Sequence, residues 1–327
     1  MSKLLTISIP TYNRASMLDA QLTWLSAELE GFESECEIVV SDNCSSDDTA
    51  AVIANWRQRF EGRIPFVTNR NDHNIGGMAN IMHCIGQANS KFVWSLGDDD
   101  VIQRGAVPYI VGKIKKHANL SVILLNGNGR DQNTHKITQE RWFDSTSDKP
   151  SQNSASEFET FLEKHMGGVL FISSAVYRTK LVHRAFATWP DSAKNLASQA
   201  YWVAFCAARG SFIVTPALFT ECAMGIGFTD KDPKWTLTMA YSAIPEVYIR
   251  LMKCGYSRRF CFEMLLQNFK SSSAWRVLAG GIRRWPLFAM GRLAYYMGGL
   301  MVGAILFLSG DSKEIIDDIS KNGMTLL

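Results

Sequence analysis

The chain has 327 residues, 46% of them hydrophobic and 20% charged, with a net charge of +3. That apolar fraction excludes a disordered chain, and the small net charge excludes a globally basic nucleic-acid binder. Its seven cysteines are odd in number and lack a CxxC pair, which excludes a disulfide or zinc framework and suits buried thiols in a reducing compartment. The six histidines show no HExxH spacing. Met1-Ser2-Lys3 runs straight into an apolar strand pattern, so no cleaved leader is expected.

Residues 4–9 are short, apolar and β-branched and stop at Pro10, which predicts a first buried strand. Residues 16–29 carry Met17, Leu22, Leu25 and Leu29 at helical spacing. A second strand is expected over 37–41. Asp47 then caps a helix that buries Val52, Ile53 and Trp56. A third strand is expected over 64–68. The following helix, over 76–88, should turn Met78, Ile81, Met82 and Ile85 inward. Residues 92–96 read as a fourth strand, 106–117 as a helix and 122–125 as a fifth strand. Alternating strands and helices imply an α/β fold with a mostly parallel central sheet covered on both faces. Ligands of such sheets bind beyond the carboxyl ends of the strands.

Polar residues collect at those ends. After the first strand comes Pro10-Thr11-Tyr12-Asn13-Arg14, and after the second Ser41-Asp42-Asn43-Cys44-Ser45-Ser46-Asp47. After the third comes Asn69-Arg70-Asn71-Asp72-His73-Asn74-Ile75-Gly76-Gly77. After the fourth, Phe92-Val93-Trp94-Ser95-Leu96-Gly97 leads into Asp98-Asp99-Asp100. If the chain stays extended, Asp98 and Asp100 share one side and Asp99 takes the other. Three anions at a buried strand end repel one another and lose hydration, and a hard cation such as Mg²⁺ or Mn²⁺ would relieve that. A plain turn in which one Asp caps the next helix is the other reading. Each cluster alone could be an ordinary loop, since Asn, Asp, Ser and Gly are turn formers. Four on one edge look like one nucleotide site. Asp42 could accept from a base or ribose, and Tyr12 could stack on the base. Arg70 and the Asn74–Gly76 turn could approach phosphates or pack the loop. Neither a GxxxxGK[ST] loop nor a GxGxxG after the first strand is present, and GxSxG is absent.

These segments, with Ser8-Ile9-Pro10-Thr11-Tyr12-Asn13-Arg14 and Asn74-Ile75-Gly76-Gly77 foremost, resemble family 2 glycosyltransferases of the GT-A fold over residues 3–125. The Gly97-Asp98-Asp99-Asp100 form and the long C-terminal extension are similar to bacterial transferases of O-antigen type, including abequosyltransferase-like enzymes. The resemblance implies an inverting, metal-dependent glycosyltransferase with a nucleotide-sugar donor and a lipid-linked saccharide acceptor. Carried over by position, Thr11, Tyr12 and Asp42 contact the nucleoside. Pro10, Asn13, Arg14, Asn43, Arg70, Asn74, Gly76 and Asp99 complete the donor site. Asp98 and Asp100 form the DxD pair. Asp100 would hold Mn²⁺ or Mg²⁺ against the diphosphate, and Asp98 would touch the ribose or a metal-bound water.

The family usually carries a Glu-Asp pair before a helix in its second half, the Asp serving as base. Residues 167–174 resemble the acceptor-side segment that precedes it, and residues 196–209 the helix that follows. Counting back from Gly210 places Ser198-Gln199 at that pair, and Gln199 is no base at neutral pH. Three readings stay open. Another carboxylate serves, with Asp191 first and Asp144 second. The count is off by a loop. Or the protein binds a nucleotide-sugar without turnover.

The least patterned stretch, 126–156, reads as a mobile loop near the active site. Residues 211–215 and 218–224 read as edge strands, and 235–252 and 257–269 as helices. From Arg250 to Arg292 there are nine Lys/Arg and one acid, Glu263, a local charge of +8. Trp275, Trp285, Leu287 and Phe288 alternate there with Arg276, Arg283, Arg284 and Arg292. Residues 293–310, 18 in all, carry no charge, the lower limit for a bilayer span. A buried helical hairpin is one reading. Attachment to the inner-leaflet membrane surface, lying or inserted, is the other. If the segment spans, its Arg-rich flank is cytoplasmic. The tryptophans accompany aliphatic residues, so no nucleic-acid partner is expected. Residues 311–327 read as a short amphipathic helix. The expected organisation is a GT-A domain over 1–230, with a donor half at 1–125 and an acceptor half at 126–230. A helical, membrane-associating region follows over 231–327, at the cytoplasmic face of the inner membrane.

Overall fold

Strand β1 (Leu5–Thr11) sets the frame for its neighbours β2 (Cys36–Asp42), β3 (Phe66–Arg70) and β4 (Phe92–Ser95). The computed structural model describes residues 3–152, 154–225 and 234–309. Parallel pairing runs from Leu5 opposite Cys36 to Thr11 opposite Asp42, and Asp42 in turn lies opposite Arg70. Thr11, Asp42 and Arg70 therefore form one row across the strand ends. On the other side of β1, Ser8 faces Ser95. Three residues further along each chain, Thr11 meets Asp98.

Helices α1 (Ala15–Glu28), α2 (Thr49–Phe60), α3 (Gly77–Gly86) and α4 (Ala106–Lys116) connect these strands. Leu18, Leu22 and Leu25 of α1 and Ile53, Trp56 and Phe60 of α2 are buried against Leu5, Ile7, Ile9, Ile38 and Val40. Burial of this apolar surface is the main stabilising term, at about 25 cal/mol per Å². In α3 the inner face differs from expectation. Asn80 and Cys84 are buried with Ile85, while Met78, Ile81 and Met82 are half-buried. The reason is polar. Asn80 accepts from the Ser41 hydroxyl at 2.7 Å and donates to the Ser41 carbonyl at 3.0 Å.

The first half of the sheet is parallel as expected; the second half is mixed. Strands β5 (Val101–Ile102), β6 (Leu120–Asp131), β7 (Ile137–Gln139), β8 (Ala175–Arg178) and β9 (Ser211–Met224) complete an order β3-β2-β1-β4-β8-β6-β9-β5, with β7 on β6. β8 is antiparallel to both β4 and β6. Residues 211–224, expected as edge strands, form one strand held between β6 and β5. It is parallel to β6 and antiparallel to β5.

Residues 126–156, expected to be a loop, are partly strand and partly tied down. β6 continues to Asp131, and β7 pairs back on it. Fully buried Asn126 donates its amide to the Phe143 carbonyl at 2.7 Å and accepts from the Phe143 N–H at 3.0 Å. The 16-residue helix α5 (Ser154–Val169), broken in φ/ψ at His165, was not anticipated. Helices α6 (Thr179–Thr188) and α7 (Ser198–Ala207) follow.

The chain forms two compact units, Met1–Asn195 with Trp202–Gly227, and Leu196–Tyr201 with Phe228–Leu327. The second contains α8 (Trp235–Thr238), a π turn (Met239–Ala243), α9 (Ile244–Leu251), α10 (Arg258–Lys270), α11 (Ser272–Arg284) and α12 (Pro286–Leu308). The expected helix over 235–252 is thus present with a π turn inside it. Ser257 and Ser271 cap α10 and α11 through their hydroxyls. Pro286 starts α12 at a position where its missing N–H costs nothing. By length and composition α12 is apolar enough to cross a membrane. The amphipathic helix expected over 311–327 lies outside the described residues.

Gly127 sits at an irregularity of the β6–β9 ladder. A Cβ there would lie 2.2 Å from the Thr220 carbonyl oxygen. Gly127→Ala should lower stability by roughly 1–3 kcal/mol, the usual cost of overpacking. Urea unfolding should show a lower midpoint at unchanged slope.

Candidate active site

At the end of β1 the buried Thr11 hydroxyl donates to Asp98 Oδ2 at 2.7 Å. Arg14, just before α1, donates through Nη1 to Asp98 Oδ1 at 2.8 Å and to Asp99 Oδ2 at 2.6 Å. Asp100 Oδ2 instead accepts from the Ser173 hydroxyl at 2.5 Å. The period-two alternation expected for the triplet is therefore not realised. β4 ends at Ser95, and the acidic residues lie on a bend beyond it. Asp98 and Asp99 share one guanidinium instead of facing opposite sides.

Two side chains that the sequence reading passed over hold this bend. Gln21, on the buried face of α1, donates to the carbonyls of Gly97 at 2.8 Å and Asp100 at 3.1 Å. Ser173 accepts from the Gly97 N–H at 2.8 Å, besides donating to Asp100. Its carbonyl accepts from Trp94 Nε1 at 2.9 Å. A polar residue among Leu18, Leu22 and Leu25 on an inward helix face was the available signal for Gln21. Nothing local marks Ser173. The carboxylate of Asp100 lies 2.5 Å from where a Cβ on Gly97 would stand, so the bend requires glycine there.

The charges do not balance. Burial pushes Asp98 up to about 6, against the pull of Arg14 and with Asp99 adding to the rise. Burial also pushes Asp100 well above the usual carboxylate range; Asp99 adds to this and the Ser173 bond opposes it. For Arg14, burial opposes the charge, but the two Asp partners raise its pKa overall. Among the described residues one paired cation, Arg14, stands against three acids, and two of the acids are buried. Among the described residues no group of three or more His, Cys, Asp or Glu side chains forms a metal cage. The donor set suits a cation that keeps water and phosphate ligands beside one or two carboxylates, as Mg²⁺ does and as the hard Mn²⁺ resembles.

Beside this cluster lies the second strand end. Asp42 is buried; Oδ1 accepts from the Ser45 N–H at 2.9 Å and Oδ2 from Arg70 Nη1 at 3.2 Å. Arg70 Nη2 also donates to the Ser45 carbonyl at 2.7 Å. Ala50, Ile53 and Ala54 of α2 line a cavity of about 250 Å³ with Asp42, Thr68 and Arg70. Tyr12 is 43% exposed and available for stacking. Pro10 lies opposite Ser41 in the sheet. Asn13, in the left-handed region at φ 52°, donates its N–H to Ser45 Oγ at 2.8 Å. Asn43 donates to Asn74 at 2.8 Å, and Asn74 accepts from the Gly76 N–H at 2.9 Å. Asn43 and Asn74 thus tie the loop after β2 to the loop after β3. Asp47 joins two helix starts, accepting from Ala15 N–H at 3.0 Å and Thr49 N–H at 3.1 Å.

The two candidate bases stand apart from this network. Asp191, in a 3₁₀ turn (Pro190–Lys194), is exposed and paired with Lys194 at 2.9 Å. Asp144 is exposed just after the Asn126–Phe143 clip. Gln199 is buried and belongs to the second unit.

A model of the family described as Glycosyl transferase family 2 matches residues 6–183. Abequosyltransferase RfbV of Salmonella typhimurium is 26% identical over 178 residues, 54% of this chain and 53% of its own. GalNAc(5)-diNAcBac-PP-undecaprenol beta-1,3-glucosyltransferase of Campylobacter jejuni is 35% identical over 109 residues, 33% of this chain and 34% of its own. The matches span about half the length of the first relative and about a third of the second. Among solved structures, S. aureus TarS 1-349 in complex with UDP-GlcNAc superposes with TM-score 0.65 at 16% identity, over 92% of this chain and 81% of that one. Mannosyltransferase PcManGT from Pyrobaculum calidifontis, in complex with GDP-Man and Mn²⁺, gives 0.56 at 15%, over 94% and 85%. These likenesses bear on the fold, which is of the GT-A type.

Ser173→Ala should leave the sheet intact and free the Asp100 carboxylate. A hydrogen bond to a charged group contributes roughly 1.5–3 kcal/mol. Calorimetric titration with a nucleoside diphosphate and Mn²⁺ should therefore show binding weakened about tenfold or more.

Proposed function

The chain belongs to glycosyl transferase family 2, and from that premise we propose that it transfers a sugar from a nucleotide-sugar to a lipid-linked saccharide. The transfer inverts the anomeric centre and serves cell-surface polysaccharide synthesis at the cytoplasmic face of the inner membrane. The observation that carries this reading is the row Thr11–Asp42–Arg70 beside a bend of three acids with one arginine. A nucleoside would lie along the row, and a cation held at the bend would meet the diphosphate. The lipid-linked acceptor rests on similarity to the glucosyltransferase whose name gives a PP-undecaprenol-linked saccharide as acceptor.

Asp100, with Asp98 beside it, would hold Mn²⁺ or Mg²⁺, which when bound supplies Lewis-acid stabilisation of the departing diphosphate. Arg14 steadies Asp98 and Asp99, so that the bend keeps its shape as negative charge leaves the sugar. Asp42 and Arg70 would orient the nucleoside, and Tyr12 would stack on its base. With the donor oriented, inversion needs an in-line acceptor hydroxyl and a base to take its proton. Asp191 is the first candidate for that base and Asp144 the second. Each is exposed, and Asp191 would have to leave Lys194 to act.

The test is release of nucleoside diphosphate from a panel of nucleotide-sugars, with a membrane lipid extract as acceptor. Release should require Mn²⁺ or Mg²⁺, stop with a chelator, and fall at least about a hundredfold in Asp100→Asn, a few kcal/mol of transition-state stabilisation. Metal-independent release would defeat the proposal. Asp191→Asn and Asp144→Asn decide the base: the true one loses turnover with donor binding unchanged.

Gln199 motivates a second reading, a nucleotide-sugar-binding partner without turnover. It predicts metal-dependent nucleotide binding and no release with any donor and acceptor extract.

A further inference from the structure

Helix α12 has two unlike sides. One is docked. Ala289, Tyr296, Gly299, Leu300, Gly303 and Leu306 are buried within the second unit. A Cβ on Gly303 would lie 2.6 Å from Leu265 of α10, and one on Gly299 3.2 Å from Ile249 of α9, so the glycines allow close approach. Polar groups in the middle of the helix are engaged on this side too. Arg292 donates to Ser242 Oγ at 3.2 Å, and the Tyr295 hydroxyl donates to Glu246 Oε2 at 3.1 Å. The Tyr296 hydroxyl donates to the Leu265 carbonyl.

The other side is an exposed stripe. Leu287, Met290, Ala294, Met297, Met301, Ile305 and Leu308 follow one another at steps of three or four residues and are all exposed. Leu287 is 90% and Met301 68% exposed. No polar side chain interrupts the stripe. At 1.5 Å per residue it extends over about 30 Å. Exposed Arg283 and Arg284 immediately precede it, and residues 272–308 contain four arginines and no acid.

A transmembrane course conflicts with the docked side. Crossing a bilayer would carry α9 and α10, with Glu246 and Arg250, into hydrocarbon alongside it. A lying course conflicts with nothing. The apolar stripe enters the acyl boundary and the arginines remain at the headgroups. An acid-free basic segment selects an anionic surface over a neutral one.

We infer that α12 is a monotopic anchor: its stripe lies in the plane of an anionic lipid surface, with Arg283 and Arg284 at the headgroups, and the helix does not cross. The inference deepens the lipid-linked acceptor reading and rests on it for the choice of a lipid surface.

The test is flotation of the purified full chain, free of detergent, with preformed vesicles of phosphatidylcholine alone or with phosphatidylglycerol. The chain should float with the phosphatidylglycerol vesicles and lose them in high salt. Met297→Glu with Met301→Glu should abolish flotation while thermal melting and nucleotide binding stay as in the parent. Arg283→Ser and Arg284→Ser should each weaken binding roughly fivefold. A parent chain that does not float, but forms a dimer that the two Glu substitutions dissociate, overturns the inference in favour of a self-association face. A C-terminal tag digested by protease added to intact spheroplasts overturns it in favour of a span. Sugar transfer to a detergent-dispersed acceptor is read in parallel. Flotation without transfer defeats the acceptor reading and leaves the anchor standing; transfer without flotation does the reverse.

Discussion

The structure turns on an electrostatic deficit at the end of one strand. Among the described residues Arg14 pairs with Asp98 and Asp99, Asp100 accepts from the Ser173 hydroxyl, and burial raises the pKa of Asp98 and Asp100. Desolvation alone would protonate such groups. A fold that spends Thr11, Gln21, Ser173 and Gly97 on keeping them together has reason to hold them charged at some stage of its work. A bound cation would offset that excess of negative charge and could then meet a leaving diphosphate.

The holding groups come from far apart in the chain. Gln21 lies on the first helix, and Ser173 on the turn before β8, more than seventy residues from the acids on either side. Antiparallel β8, inserted beside β4, brings Ser173 to the bend. The mixed second half of the sheet is thus what closes the site. Likewise the two-residue β5, directly after Asp100, pairs with β9 and ties down the far end of the acidic segment. The row Thr11–Asp42–Arg70, by contrast, arises within the parallel half, where register alone aligns equivalent strand ends.

The second unit follows a different rule. Its helices pack through small residues, and Gly281, Gly299 and Gly303 each meet a leucine or isoleucine where a Cβ would stand. Packing of that kind leaves one side of α12 filled and the other bare. An apolar helix of spanning length need not be a span when one of its sides is packed against its own unit.

Periodicity and punctuation made the first four strands and the helices between them readable in the sequence, because both faces of a parallel sheet must be apolar and polar loops must gather at its ends. Family membership was legible for the same reason, since its motifs sit on those loops. The direction of β8, the strand hidden in 126–131 and the interior place of β9 were not legible, because strand direction depends on partners distant in sequence. Nor was the conformation of the acid triplet: alternation holds only while the chain stays extended, and β4 ends at Ser95. The sequence by itself determined which residues would crowd the strand ends and how much charge they carry there. Only the tertiary structure decided which of them share Arg14, which turns to Ser173, and which side of α12 stays bare, because each of those outcomes is set by a neighbour that folding alone brings near.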